Sequence, residues 1–180
     1  LTQVQREAVL VVGFNETDQG IMTYLRSYGK RILLPIYSFA LMGGDERILV
    51  DTGLEDFMVP PDLEERMGFK VMHFEDALET IGWTPEEVDV IIHTHLHNDH
   101  CENDYKCVNA EFVVHEKELE HIHDPHPLDY RYLEDYIEDV EENGQIKTVT
   151  RDMEIMSGIR VMHTPAHTRG GLTVLVETDK

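Results

Sequence analysis

Histidines are concentrated in one short stretch of the sequence, "HTHLHNDHCEN", which runs from His93 to Asn103. Within it, His95, His97, Asp99 and His100 form the pattern H-x-H-x-D-H. Imidazole nitrogens and carboxylate oxygens are the ligands of zinc, and they also suit iron and manganese. Alternate side chains of an extended segment point the same way, so His95 and His97 can hold one ion together. We interpret the pattern as the main part of a metal site, with Asp99 and His100 turned toward a neighbouring position.

A metal site with one open position needs a third protein ligand. The later stretch "HTPAHTRGG" offers His163 and His167. His163 ends a predicted strand with alternating apolar residues, which favours an ordinary half-buried strand histidine. His167 lies in a loop of small residues that ends in two glycines, and such a loop can approach an ion closely. His167 is therefore the predicted third ligand.

The segments around these motifs predict interleaved strands and helices. Strands are predicted at "EAVLVVGF", "RILLPIYSFALM", "RILVDTG", "VDVII", "EFVVHE", "QIKTV", "GIRVMH" and "LTVLVET", and helices at 74–81, at "TPEE" and at 128–142. Loops are predicted at "NETDQG" and at 54–70, and "GGDE" at 43–46 predicts a hairpin turn. This order indicates an α/β or α+β fold in which helices cover mixed sheets. The apolar run "VDVII" places the histidine motif at the end of a buried strand.

The charge of the chain limits its partners. The 180 residues include 15 Lys and Arg against 36 Asp and Glu, for a formal net charge of -21. A surface this negative repels phosphate groups, so we expect no nucleic acid and no anionic membrane as partner. The sequence has no run of 18 apolar residues, so no membrane span is predicted. Cys101 and Cys107 are too few for a disulfide framework, which favours a reducing, cytoplasmic setting.

The sequence resembles the metallo-β-lactamase superfamily. The resemblance rests on "ILVDTG" with Asp51, "HTHLHNDH" and "TPAHTRGG" with His167, which occur in the order typical of the family. The stretches "LVDTGLED", "TPEEVDVIIHTHLHNDHCEN", "EFVVHEKELE" and "GIRVMHTPAHTRGGLTVLVET" look most like the N-acyl-homoserine-lactone lactonase branch. Esterase-like and thioesterase-like relatives share these features. The family normally has glycine where this chain has Ala166.

The resemblance implies an αββα sandwich with two divalent metal ions at one edge, most often zinc. His95, His97 and His167 would hold one ion, while Asp99 and His100 would help to hold the second. Asp51 would lie beneath the site and hydrogen-bond to the ligand loop, and an ordinary turn aspartate at a strand end is the alternative.

The same resemblance predicts that residues 1–180 are the N-terminal portion of one such domain. In the family, a bridging aspartate and a final histidine come later along the chain than Lys180. A half sandwich exposes the apolar face of a sheet. We therefore expect a fragment: the remainder is a separate chain or was cut from this one, or a second copy of this chain covers the open sheet.

The implied function is hydrolysis of a small-molecule lactone or ester by a metal-activated water. Asp99 is the predicted catalytic residue, because it can orient the attacking water and pass its proton to the leaving alkoxide. Three alternatives share the motif. They are a thioesterase of the glyoxalase II kind, a di-iron redox protein and a non-catalytic metal-binding module.

Several other side chains invite a second interpretation. His121, His123 and His126 are predicted to lie at a solvated helix end, with a wall of the substrate cleft as the alternative. Cys101 is predicted to be a small buried residue, with a soft metal ligand or a redox-sensitive thiol as the alternative. His93 is predicted to be packed or to support a metal ligand.

Overall fold

The computed structural model describes residue 4 and residues 6–55, 62–68 and 71–178. The strands in these ranges are β1 (Arg6–Asp18), β2 (Arg31–Met42), β3 (Ile48–Val50), β4 (Val90–Ile92), β5 (Glu111–His115), β6 (Ile146–Val149), β7 (Met153–Met156), β8 (Ile159–His163) and β9 (Leu172–Val176). The helices are α1 (Gln19–Met22), α2 (Leu63–Met67), α3 (Phe74–Glu79), α4 (Asn98–Cys101), α5 (Glu116–His123) and α6 (Asp135–Glu142). Among the described residues, no helix has the length and apolar character that a membrane span requires.

The strands form two sheets. The larger has the order β1-β2-β3-β4-β5-β6, and the smaller has the order β7-β8-β9. β1, β2 and β3 pair antiparallel, whereas the pairs from β3 to β6 are parallel. The carboxyl ends of parallel strands lie along one edge of a sheet. Asp51, which follows β3, and the histidine motif, which follows β4, therefore lie side by side.

The middle strands of the larger sheet, β3, β4 and β5, are apolar on both faces. In β5, Phe112 and Val114 belong to a buried cluster that includes helix residues such as Phe74 and Ile137. Val113 points the other way and joins a second cluster with residues of β8 and β9. This alternation follows from the pleat of the strand, and it explains why β3, β4 and β5 read as nearly continuous apolar runs.

The predicted mixed α/β fold is confirmed. Helices, the six-stranded sheet and the three-stranded sheet form three successive layers among the described residues. These are three of the four layers of the predicted αββα sandwich. The hairpin predicted at 43–46 is also confirmed, since Leu41 of β2 lies opposite Ile48 of β3.

The prediction of a loop at "NETDQG" is wrong. β1 continues through Asp18, and its polar end pairs with the start of β2, where Asp18 lies opposite Arg31. The guanidinium of Arg31 also donates to the Glu16 carbonyl at 2.8 Å. A polar segment favours a loop only when no neighbouring strand pairs with its backbone. Here the second strand of an antiparallel ribbon supplies that partner.

The prediction of one helix over 128–142 is also wrong, because α6 begins only at Asp135. The segment before it is irregular and directs its groups to the histidine motif: the Arg131 carbonyl accepts a hydrogen bond from the Asn98 amide at 2.9 Å. Tyr130 is exposed and Tyr132 is buried. The predicted C-terminal bound at 142 is correct, and Gly144 just beyond the helix has φ 67.

Two smaller differences concern short elements. β7 was not predicted, and α2 lies within the predicted loop 54–70, of which residues 56–61 and 69–70 lie outside the described residues. At "TPEE", where a helix is predicted, the Thr84 amide donates to the Glu87 carboxylate at 3.0 Å and so caps the segment. This cap begins only a single 3-10 turn, Pro85–Glu87.

Candidate metal centre

His95 and His97 lie in the loop between β4 and α4, and Asp99 and His100 lie in α4. Hydrogen bonds of backbone groups fix the loop on three sides. The Thr94 amide donates to Asp51 Oδ1 at 2.7 Å. The Leu96 amide donates to Glu118 Oε2 at 3.0 Å. The Thr94 carbonyl accepts from the Leu172 amide at 2.8 Å, which ties the loop to the second sheet. An irregular segment can hold a fixed geometry when its backbone groups are satisfied in this way.

The fold brings His167 to His95 and His97. Nδ1 of His97 lies 3.1 Å from Nε2 of His167, although 70 positions separate the two residues. The ring centroid of His95 lies 4.6 Å from that of His97 and 4.9 Å from that of His167. One ligand atom of each residue lies within 4.8 Å of the others. His95 and His97 are buried, whereas His167 is exposed, so the group is open on the His167 side.

A second group of possible ligands contains His95, Asp99 and His100, again within 4.8 Å of one another. The His95 and His100 ring centroids are 4.0 Å apart, and Nε2 of His100 lies 3.7 Å from Oδ2 of Asp99. Asp99 and His100 are both half-buried. The five residues that the sequence motifs single out therefore form two adjoining groups that share His95.

Asp51 orients two of these imidazoles. Its Oδ2 accepts hydrogen bonds from His100 Nδ1 at 2.8 Å and from Thr94 Oγ1 at 2.7 Å. Because the hydroxyl proton of Thr94 is used in this way, its oxygen accepts from His95 Nδ1 at 3.0 Å. Both imidazoles thus carry a proton on Nδ1, and Nε2 is the nitrogen of each that can bind an ion. Asp51 lies beneath the site and hydrogen-bonds to the ligand loop, as the resemblance implies.

The charges beneath the site are buried together. His93 lies between two carboxylates, with Nε2 2.8 Å from Asp104 Oδ2 and Nδ1 3.5 Å from Asp51 Oδ1. Burial alone would lower the pKa of His93, but Asp104 and Asp51 raise it to about 10. Burial alone would raise the pKa of Asp51, yet His100 and His93 hold it well below its usual range. His93 is therefore a charged support of Asp51 and not a further ligand.

The imidazoles of His95 and His97 are neutral at neutral pH. Burial lowers the pKa of His95 to about 2 and that of His97 to about 4. Nε2 of His95 is buried and has no hydrogen-bond partner among the described residues. A metal ion requires an unprotonated nitrogen, and a neutral imidazole offers one without first releasing a proton.

The donor set fits a divalent ion. Two nitrogens that bind one zinc ion tetrahedrally at about 2.0–2.1 Å lie about 3.3 Å apart. Nδ1 of His97 and Nε2 of His167 are 3.1 Å apart, and both are nitrogens of the type that zinc prefers. The unpartnered Nε2 of His95 is a third donor for the same ion.

Three residues that contact the ligands were not predicted. Thr94 connects Asp51 to His95, Asp129 Oδ2 lies 3.5 Å from His97 Nε2, and the Tyr132 ring lies 4.6 Å from the His97 ring. Thr94 could have been found as the polar residue directly before the first ligand. No sequence pattern marks Asp129 or Tyr132, because they reach the site through the irregular segment before α6.

The remaining candidate residues lie apart from the centre. His163 stacks on His115 at 4.1 Å between ring centroids. His123 bonds to Glu134 and Glu141, and His126 is exposed. Cys101 is buried with Sγ 3.4 Å from the His97 carbonyl, which confirms the prediction of a small buried residue.

A cavity of about 290 Å³ opens beside His167. It is lined by His121, Asp129, Tyr132, Pro165, Ala166, His167, Thr168 and Arg169. His121 therefore lines the space next to the candidate centre, which agrees with the alternative interpretation of that residue. Its ring also packs against Tyr132, at 4.7 Å between centroids.

The sequence matches one family model and resembles known lactonases. Residues 31–180 match the model of the Metallo-beta-lactamase superfamily. An N-acyl homoserine lactonase from a Bacillus species is 29% identical over 163 residues, in a match that covers 84% of this chain and 62% of that protein. The chain therefore spans less than two thirds of the length of this relative.

Solved structures agree with the fold. A structure of N-acyl homoserine lactone hydrolase, with the product N-hexanoyl-L-homoserine bound at its catalytic metal centre, aligns with a TM-score of 0.75 and 25% identity over 98% of this chain and 72% of that one. A probable metal-dependent hydrolase from Staphylococcus aureus aligns with a TM-score of 0.77 and 18% identity over 98% of this chain and 70% of that one. Because the family model covers most of the sequence and the layers of the fold agree with it, this protein belongs to the metallo-β-lactamase superfamily.

Proposed function

We propose that this protein is a metal-dependent hydrolase with a centre for two divalent ions. His95, His97 and His167 hold the first ion, and Asp99 and His100 help to hold the second. The observation that carries this proposal is the meeting of His97 Nδ1 and His167 Nε2 at 3.1 Å, beside the unpartnered Nε2 of His95. Zinc is the ion we favour, because imidazole and carboxylate are its usual ligands, with iron or manganese as alternatives.

A divalent ion at this place supplies a water nucleophile near neutral pH and polarises a carbonyl oxygen. The residues of the chain supply orientation and proton transfer. Asp99 is half-buried at the edge of the site, where its carboxylate can accept the proton of the attacking water and return it to the leaving oxygen. Asp51 holds His100 and, through Thr94, His95 in one tautomer.

The substrate class we propose is a small lactone or ester, of which an N-acyl homoserine lactone is the first to test. The Bacillus relative and the product-bound structure support this choice by their names. The cavity beside His167, about 290 Å³, has the size of a small-molecule site. The net charge of -21 favours neutral small molecules over nucleic acids.

We also propose that a further layer covers the outer face of the three-stranded sheet. Met162 of β8 and Leu175 of β9 lie on that face with 36% and 43% of their surface exposed. A second chain or a second copy of this chain would bury them. The unpaired thiols Cys101 and Cys107 support a reducing, cytoplasmic setting.

Metal content and hydrolysis test the proposal together. The protein and its His97→Ala variant are loaded with zinc, dialysed, analysed for metal and assayed with a lactone, an ester and a thioester. We expect bound zinc and lactone or ester hydrolysis in the unmodified protein and loss of both in the variant. His126→Ala is the matched control, because that histidine is exposed and belongs to neither group of candidate ligands.

Each other outcome has a defined meaning. Protein that binds no metal, or a His97→Ala variant with full activity, would overturn the metal centre. Hydrolysis of the thioester alone would identify the thioesterase alternative. Bound metal without any hydrolysis would support the non-catalytic alternative or, if the protein reacts with oxygen, the di-iron redox alternative.

A further inference from the structure

One buried carboxylate connects the two loops that carry the candidate ligands. Glu118 is the third residue of α5, and only 1% of its surface is exposed. Its Oε2 accepts hydrogen bonds from the Leu96 amide at 3.0 Å and from the Tyr132 hydroxyl at 2.9 Å. Its Oε1 accepts a hydrogen bond from the Gly170 amide at 2.8 Å. A buried carboxyl is costly unless hydrogen bonds satisfy it, and here all three donors belong to segments of the candidate centre.

Each donor leads directly to a candidate ligand. Leu96 lies between His95 and His97 in the chain, so its amide fixes the backbone that carries both rings. Gly170 follows His167 in the second loop. Tyr132 packs the edge of its ring against His97, with centroids 4.6 Å apart. Glu118 therefore contacts every segment whose position sets the distance between His97 and His167.

Gly170 shows how closely the two segments meet. A Cβ atom at this position would lie 2.7 Å from both the backbone nitrogen and Cγ of Glu118, and 2.8 Å from Oε1. Real Cβ atoms do not approach backbone so closely, so a larger residue would push the His167 loop away from α5. The absence of a side chain at Gly170 and the carboxylate of Glu118 thus act as one contact.

We propose that Glu118 is a positioning residue that sets the spacing of His97 and His167 and thereby the affinity of the first metal position. The proposal rests on the metal centre proposed above. Partners that orient metal ligands typically contribute about 10- to 100-fold to metal affinity. Glu118 differs from most such partners because it holds the backbone of two ligand loops instead of a single ring.

Glu118→Gln is the most informative variant, since it keeps the shape and replaces one oxygen by an NH₂ group. If the NH₂ group took the place of Oε2, it would face the Leu96 amide, which can only donate. If it took the place of Oε1, it would face only the Gly170 amide. The second orientation loses one hydrogen bond and keeps those to Leu96 and Tyr132. The expected loss is therefore at Gly170 and in the His167 loop.

Hydrogen exchange on metal-free protein tests this step without any ion. We expect the Gly170 amide to exchange at least about tenfold faster in Glu118→Gln than in the unmodified protein, while the Leu96 amide is unchanged. Glu120→Gln is the matched control, because Glu120 lies on the same helix and is exposed. Equal protection of Gly170 in all three proteins would overturn the proposal.

Zinc affinity, measured by competition with a chromogenic chelator, tests the consequence. We expect Glu118→Gln to bind the first ion about 10- to 100-fold more weakly, with an unchanged circular dichroism spectrum, and Glu120→Gln to bind normally. Cobalt absorption adds a spectroscopic readout, since the ligand-field bands of bound Co²⁺ shift when His167 is displaced. Tyr132→Phe keeps the carboxylate and should have a smaller effect than Glu118→Gln.

The two proposals fail in different ways. If the unmodified protein binds no zinc, the metal centre itself is wrong, and the exchange of Gly170 still reports whether Glu118 holds the loop. If the unmodified protein binds zinc and Glu118→Gln binds it equally well with the same cobalt spectrum, the positioning role of Glu118 is wrong. If Glu118→Gln does not fold, Gly170→Ala supplies the test, because its Cβ would separate the His167 loop from Glu118, and normal zinc affinity in that variant then counts against the role.

Discussion

Oδ2 of Asp51 lies 2.8 Å from Nδ1 of His100, at the point where two parallel strands end side by side. Asp51 has φ 61, a left-handed conformation that aspartate tolerates better than most residues. This backbone conformation turns the carboxylate toward the histidine loop, where Thr94 and His100 donate to it. Through this hydrogen bond, Asp51 holds the proton of His100 on Nδ1 and leaves Nε2 as the nitrogen that can bind an ion.

Asp51→Asn should impair metal binding more than its conservative size suggests. Asparagine keeps one acceptor oxygen, so an NH₂ group meets either the Thr94 amide or both the Thr94 hydroxyl and His100 Nδ1. The loss of the charge also leaves the imidazolium of His93 less compensated. Breaking a buried charge pair typically costs about 3–5 kcal/mol, and we expect a loss of unfolding free energy of that order.

The measurement is chemical unfolding together with zinc content after dialysis. Asp45→Asn is the matched control, because Asp45 is an exposed residue of the β2–β3 turn. An Asp51→Asn protein with normal stability and normal zinc content would contradict the role that we assign to this carboxylate.

The candidate ligands could be predicted because their chemistry is local. H-x-H-x-D-H places four donors within six residues, and the small-residue loop around His167 is recognisable on its own. Glu118 and Asp129 could not be predicted, because nothing near them in the chain distinguishes them from the other 34 of the 36 acidic residues. Their importance arises only when α5 and the segment before α6 fold against the histidine loop.

The same limit applies to the fold. β3, β4 and β5 were predicted because burial on both faces leaves apolar runs in the sequence. Residues 128–134 have the apolar spacing of a helix, yet the structure uses Tyr132 to reach Glu118 and the Arg131 carbonyl to cap Asn98. Tertiary hydrogen bonds of this kind override a weak local preference, and a single sequence does not contain them.

Asp99→Asn should separate catalysis from the first metal position. The variant keeps the size of the side chain but removes its ability to accept a proton. Proton transfer by a positioned side chain is typically worth about 10²–10⁴-fold, so we expect kcat to fall by that factor. At least one zinc ion per chain should stay bound, because His95, His97 and His167 are unchanged.

Steady-state kinetics on the substrate found by the hydrolysis screen and metal analysis of the same sample check this prediction. Asp124→Asn, on the exposed end of α5, is the control for removal of one negative charge. A kcat equal to that of the unmodified protein would remove Asp99 from the mechanism.

Both thiols should be unreactive in the folded protein. Cys101 and Cys107 are fully buried, and burial raises the pKa of each well above its ordinary value. Reaction then requires local opening, so a thiol reagent should modify the folded protein at least about 100-fold more slowly than the unfolded one. Colorimetric thiol titration at pH 8 with and without guanidinium measures the ratio, and rapid modification of Cys101 in folded protein would revive the redox-sensitive alternative.

His123 should make stability depend on pH through a link between α5 and α6. Nδ1 lies 2.6 Å from Glu134 Oε1, and Nε2 lies 3.0 Å from Glu141. Hydrogen bonds to Glu141 and Glu134 raise the pKa of His123 above its ordinary value of 6.5. The stabilisation is therefore fully present below pH 6.5 and is lost as the pH rises through the raised pKa.

His123→Gln should cost about 0.2–1 kcal/mol of unfolding free energy at acidic pH, since these groups are partly exposed, and less under alkaline conditions. Thermal unfolding at both pH values measures the difference, with His126→Gln as the control, and an equal loss of Tm at both would show that the charged pair contributes nothing.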